Sequence, residues 1–364
     1  MVINTKKWWN LDLECKHDFE ASMKRIYAWY EGEIVDRVPI RFSAHNSFVK
    51  ENKYNKNWKS LKERWYDAEY QIESFMESLK GIKLLGETFP VYWPNVGPNF
   101  FAALYGSNLE FREITSYAEP CIEEWEDIKN LELNLESEYF KKIEELTKYA
   151  LERCPGKFMV GYTDLHPSLD CVAAWRETQK VLFDLYDNPD EVKQVTEIAL
   201  RDFQKVYDHF DTMLKAKNQL SVTWMGIPSF GKMHIPSCDF SAMISPNQFE
   251  EFYLPSLKKE VKPMSHNIFH LDGRGVARHI DMILQVPEIQ AIQWVQGVNE
   301  DNAIMQWVPL IKKIQAAGKS VVVEIQKTEL EEFIGAVKPE GIMLCINSNE
   351  NEEQKRILNR IEKW

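Results

Sequence analysis

From Phe158 onward, short apolar runs and amphipathic stretches alternate at near-regular spacing up to the last residue. Short apolar runs bounded by turn formers read as buried strands, and apolar positions three and four apart read as helices. Strands are expected at 158–162, 220–224, 267–270, 290–294, 320–325 and 341–346. Helices are expected at 168–186, 189–215, 246–262, 276–284, 301–317, 328–336 and 350–363, with Gly318 as a C-terminal cap. Upstream, 38–43 and 89–93 add two strands, and 16–30, 57–80 and 137–153 add helices. Residues 99–136 read as an irregular insertion, and 226–245 as a long loop.

Eight strands, mostly separated by helices, predict an α/β fold. The expected architecture is a single TIM (β/α)8 barrel with βα-loop insertions over its C-terminal mouth. Residues 1–35 form an N-terminal helical extension, and 1–364 read as one domain because no linker rich in Pro, Gly or Ser divides them. A doubly wound open sheet is the alternative, but even strand spacing to the C-terminus favours closure. No glycine-rich phosphate loop of the Rossmann or Walker type follows a strand.

A net charge of -12 leaves no basic surplus for phosphates, which argues against nucleic acid. No apolar run approaches a membrane span, and Met1 to Asn10 lack a signal-peptide core, so a cytoplasmic protein is expected. Its six cysteines form no CxxC pair, which suits reduced thiols.

In such a barrel, chemistry gathers where strands end. The run Asn267-Ile268-Phe269-His270-Leu271-Asp272-Gly273 aims an imidazole and a carboxylate the same way, because side chains alternate along a strand. The other ends bring Arg41, with Ser43, His45 and Asn46 beyond it, then Trp93, Tyr162, Asp164, His166 and Trp224. His234, Cys238 and Asp239 lie along the loop after Trp224, and Gln293, Trp294, Glu324 and Cys345 complete the set. His270, Asp272, Glu324 and Cys345 offer the N, O and S donors that zinc takes. The alternative is structural: Cys345 as a small buried hydrophobe, and the acids paired to Arg274, Lys327 or Arg41. Trp93, Tyr162, Trp224 and Trp294 suit the walls of a pocket for a flat organic substrate, or plain packing. Asp164 orients a histidine, holds a substrate hydroxyl or caps the next helix. Asp239 reads as a cap or loop brace, His209 and His279 as solvent-facing, and His17 as a surface residue.

Asp36-Arg37-Val38-Pro39-Ile40, Tyr162-Thr163-Asp164-Leu165, Ala173-Ala174-Trp175-Arg176, the stretch Cys238 to Pro255 and Phe269-His270-Leu271-Asp272-Gly273 together resemble the uroporphyrinogen decarboxylase superfamily. The similarity spans roughly 20 to 364 and points to its decarboxylase-like branch, related to corrinoid-dependent methyltransferases. It implies a TIM barrel with its site at the mouth, and either of two chemistries. Metal-free porphyrinogen decarboxylation goes with an Arg-Gln-Ala-Gly-Arg type signature, absent here. Methyl transfer goes with zinc on a His-x-Cys pair after strand five and a Cys near strand eight. His270 and Cys345 match that pattern, and Asp272 stands where the first Cys would be. Oxygen in place of sulfur makes the metal a stronger Lewis acid, suited to an ether rather than a thiol. Glu324 joins the ligands by similarity to cobalamin-independent methionine synthase.

The resemblance thus implies a methyltransferase of O-demethylase type. It would pass a methyl group from a small, methoxyaromatic donor to the corrinoid of a partner protein. His270, Asp272 and Asp164 are the expected catalytic residues, and Trp93, Tyr162, Trp224, Gln293, Trp294 and Arg41 the substrate contacts. His270, Glu324, Cys345 and Asp272 are the expected zinc ligands. No Asp-x-His-x-x-Gly corrinoid motif is present, so that cofactor arrives from outside. One alternative is a metal-free decarboxylase or lyase acting on an aromatic or tetrapyrrole acid, with Arg41 holding a carboxylate. Another is a non-catalytic small-molecule binder. A homodimer is compatible with all three.

Overall fold

The β-branched and aliphatic runs of the second half form the centre of the molecule. The computed structural model describes residues 9–42, 56–296 and 303–364. Ten strands occur among them: β1 Ile40–Phe42, β2 Val91–Tyr92, β3 Leu109–Phe111, β4 Ser116–Ala118, β5 Met159–Val160, β6 Met233–His234, β7 His266–Asp272, β8 Ala291–Val295, β9 Ser320–Ile325 and β10 Ile342–Ile346. Six make a parallel sheet in the order β1-β10-β9-β8-β7-β6. β2 and β5 form a separate parallel pair, and β3 and β4 an antiparallel hairpin inside the expected insertion. The architecture is mixed α/β and TIM-like.

Strands β8 to β10 are buried on both faces, as parallel strands covered by helices are. Backbone hydrogen bonds tie the sheet to its flanks. Glu87 N donates to Ile40 O at 2.6 Å, beside β1. Tyr162 N donates to Val222 O at 2.9 Å, beyond β5.

The segment 220–224, expected as a strand, forms none; besides the Tyr162–Val222 hydrogen bond it makes an antiparallel bridge, Ser221 to Ser229. The strand beside β7 is instead the two-residue β6, inside what reads as a long loop. Four expected helices are each broken in two, among them 276–284, which falls into Gly273–Ala277 and Ile280–Leu284. Asp67 ends one helix and caps the next, Ala68–Leu79, by accepting from Tyr70 N at 2.9 Å. Glu177 separates Leu169–Arg176 from Thr178–Asp187 with a φ of +79°. Asp202 separates Pro189–Arg201 from Phe203–Lys215. Ser43, His45 and Asn46 lie outside the described residues.

The helix Phe19–Tyr30 covers the N-terminal end of the sheet, where Trp29 Nε1 donates to Gly341 O at 2.9 Å. No helix among the described residues is long and apolar enough to cross a membrane.

Candidate active site

Strand register decides which side chains share a face. Arg41, Cys345 and Glu324 are partners across β1, β10 and β9. His270, Gln293, Val322 and Met343 are partners one row earlier, two residues back along β9 and β10. A two-residue step returns to the same face, so both rows face together, and Asp272 with them.

His270 is half-buried at the end of β7. Its Nδ1 lies 2.7 Å from Gln293 Oε1. A carboxamide oxygen only accepts, so Nδ1 carries the hydrogen and the Nε2 lone pair is left for a ligand. The edge of the imidazole meets Trp224 at 5.3 Å between ring centroids.

The chain after β6 returns to this point. His270 N donates to Pro236 O at 2.9 Å, and Ser237 bridges His270 in parallel. Asp239 follows at the start of a short 3-10 helix, its Oδ1 accepting from Ser237 Oγ at 3.2 Å. One donor atom each from Asp239, His270 and Asp272 lies within 4.8 Å of the other two. Burial raises the Asp272 carboxyl pKa, His270 pulls it back, and Asp239 adds to the rise. One imidazole and two carboxylates suit a divalent cation with open coordination positions. Gln293 supplies the hydrogen-bond partner that fixes a ligating histidine.

A second imidazole stands behind this group. His166 Nε2 lies 2.8 Å from Asp164 Oδ1. Burial presses the His166 pKa down, but Asp164, then Asp170 and Asp239, raise it to about 9. Asp164 therefore orients a histidine, and the N-cap position of the next helix belongs to Ser168. Asp170 accepts from the amides of Asp239 and Phe240 at 3.0 and 2.9 Å, which anchors the Asp239 loop. Burial, with Asp239 next, raises Asp170 to about 6.

Cys345 and Glu324 stand in the row of Arg41, outside the Asp239 group. Cys345 is buried; burial raises its thiol pKa, against the pull of Arg41. Arg41 Nη1 donates to Met225 O, next to Trp224 in the chain. Trp93, directly after β2, and Trp224, in the segment between β5 and β6, are partly exposed. Tyr162 turns into the helical layer instead, packing against Tyr207 at 5.1 Å and donating to Met233 O at 3.1 Å. Trp294 is fully buried on the face opposite Gln293 and packs on Trp307 at 4.5 Å. His234 is buried on β6, 2.7 Å from Glu260. His279, expected in solvent, is buried and stacked on Phe249 at 4.3 Å. His209 is half-buried against Glu144 at 3.0 Å, and His17 is exposed.

The residue that the sequence reading places elsewhere is Asp239. Its position depends on the Ser237–His270 bridge, which no local pattern encodes. The only signal is its place in the Cys238-Asp239-Phe240 segment.

The structure superposes on a methyltransferase from Methanosarcina mazei with a TM-score of 0.59, covering 94% of this chain and 98% of that chain. Sequence identity is 11%. The likeness is one of fold. No family model matches the chain, and no curated protein matches it.

Proposed function

We propose that this chain is a TIM-barrel methyltransferase that moves a methyl group from a small methoxyaromatic compound to the corrinoid of a partner protein. The observation that carries the reading is the group Asp239, His270 and Asp272, with Nε2 of His270 freed by Gln293 and an indole beside it. The likeness in fold to a methyltransferase supports it. Hydrogen bonds at the flanks of the six-stranded sheet support closure into a barrel.

In this reading, Trp224 and Trp93 flank the ring of the donor and exclude water. A divalent cation such as zinc, held by Asp239, His270 and Asp272, would supply Lewis acidity at the ether oxygen. Without that support, His270 in its doubly protonated form donates Nε2–H to the departing oxygen. The bond between the methyl carbon and the ether oxygen breaks with its electron pair on oxygen. The reduced corrinoid of the partner would supply the electron pair that takes up the methyl carbon. Asp272 and Asp239 balance the charge on His270, and Asp164 keeps His166 protonated behind them.

The test is to mix purified protein with reduced corrinoid protein and a panel of methyl ethers, and to follow methyl-cobalt formation by absorbance. Methyl-cobalt from at least one aryl ether is expected, and its absence across the panel overturns the reading. His166 favours a second reading, a decarboxylase or other lyase, because a protonated imidazole can quench a carbanion. Turnover without any corrinoid would identify it.

A further inference from the structure

Two arginines lie close together at the start of the sheet, and the protein treats them differently. Arg37 is buried and neutralised. Its Nη1 and Nη2 donate to Glu87 at 2.8 and 3.0 Å, and Glu87 also accepts from Ile40 N at 2.7 Å. Arg41 is as buried, 5% exposed against 6%, but has no carboxylate within ion-pair distance among the described residues. Nη1 donates to Met225 O and the Cys345 thiol is also within hydrogen-bond reach of the side chain, while Nε and Nη2 are buried with no hydrogen-bond partner among the described residues. These two N–H groups lie on one edge of the guanidinium, the edge that grips a carboxylate in a fork.

Taking a guanidinium out of water is costly unless a counter-ion repays it. Arg41 shares its face with the rows that hold Gln293, His270 and Asp272. It also reaches the backbone next to Trp224, whose indole meets His270. One edge of the mouth is thus a fork of donors unmatched among the described residues, its wall an indole, and its far side the Asp239 group. Other buried donors with no partner among the described residues follow neighbouring strands: Trp93 Nε1, Thr163 Oγ1 and His166 Nδ1. A neutral hydrocarbon ring would leave all of them unmatched, and an oxygen-bearing anion would not.

We infer that Arg41 is the carboxylate-binding residue of the mouth, and that the substrate is a small aromatic carboxylic acid carrying the methyl ether. The ether rests on the methyl-transfer reading, whereas the carboxylate rests on Arg41 alone. The acid docks on the Nε–Nη2 edge, the ring lies along Trp224, and the ether points to His270.

The experiment is calorimetric titration of wild type, Arg41→Met and Arg41→Lys with a methoxybenzoate, unsubstituted benzoate and neutral methoxybenzene. Wild type should bind both benzoates at least tenfold more tightly than methoxybenzene. Arg41→Met should weaken both benzoates about 100-fold, the size of a lost charge-assisted fork, and leave methoxybenzene unchanged. Arg41→Lys should fall between them, since a point charge keeps attraction without the fork. Without ligand, Arg41→Met should melt no lower than wild type, because it removes a charge that no carboxylate among the described residues neutralises; an arginine with a structural role would not behave so. Equal binding of benzoate and methoxybenzene by wild type overturns the inference, and so does benzoate binding unchanged in Arg41→Met. If that variant does not fold, full benzoate affinity in Arg41→Lys overturns it instead. Benzoate binding requires neither corrinoid nor methyl transfer, so failure to form methyl-cobalt leaves this result standing.

Discussion

His270 and Gln293 are register partners on β7 and β8, and their side chains meet at 2.7 Å on the face that holds Asp272. The contact turns a rotatable imidazole into an oriented donor with a defined tautomer. Gln293→Leu keeps the volume and removes the acceptor. Zinc affinity should fall about 10- to 100-fold, the range for an outer-shell partner. Competitive titration with a chromophoric chelator measures it, and unchanged affinity would detach Gln293 from the site.

The donor group predicts which substitution empties a metal site. Purified without chelators, wild type should carry about one divalent metal per chain by elemental analysis. Asp239→Asn should lose it and Cys345→Ala should keep it, because Cys345 lies with Arg41 outside the group. Metal lost in Cys345→Ala but kept in Asp239→Asn would restore the ligand set implied by the family resemblance.

The pair His166–Asp164 predicts a pH dependence. The pKa of His166 rises from an ordinary 6.5 to about 9 in the folded state. A cationic acid held above its unfolded value stabilises fully below about pH 6.5, and the effect fades as pH rises through about 9. The full effect is on the order of 3 kcal/mol. Urea unfolding from pH 6 to pH 9.5 should show that decline in wild type and a flatter profile in Asp164→Asn. Identical slopes would separate His166 stability from Asp164.

Glu177 links two helices with a φ of +79°, a region in which a side chain is strained. Glu177→Gly should stabilise the protein by about 1 kcal/mol, seen as a higher urea midpoint at unchanged slope. A lower midpoint would mean that the Glu177 side chain contributes more than its backbone costs.

The long apolar runs of β7 to β10 needed no tertiary information, and each lies where the chain pattern puts it. Helix breaks did not show, because apolar periodicity runs on through Asp67, Glu177 and Asp202 while local capping and a positive φ interrupt the backbone. His270 and Asp272 were legible from alternation alone. Asp239 was not, because contact with β7 depends on a bridge between segments far apart in sequence. Trp294 and Tyr162 read as pocket walls because an aromatic at a strand end looks the same whichever layer it enters; their neighbours Trp307 and Tyr207 decide it. His279 looked exposed on a short helix, until Phe249 covered it.

The pairing of β1 with β10, and of Trp29 with Gly341 312 positions later, has a consequence for biosynthesis. During translation β1 emerges well before β10 and waits without that neighbour until Ile342–Ile346 have been made. Contacts this distant are slow to close, and a waiting strand edge attracts other chains. Premature termination shortly before Ile342 would therefore release an aggregation-prone product rather than a slightly shorter version of the same fold.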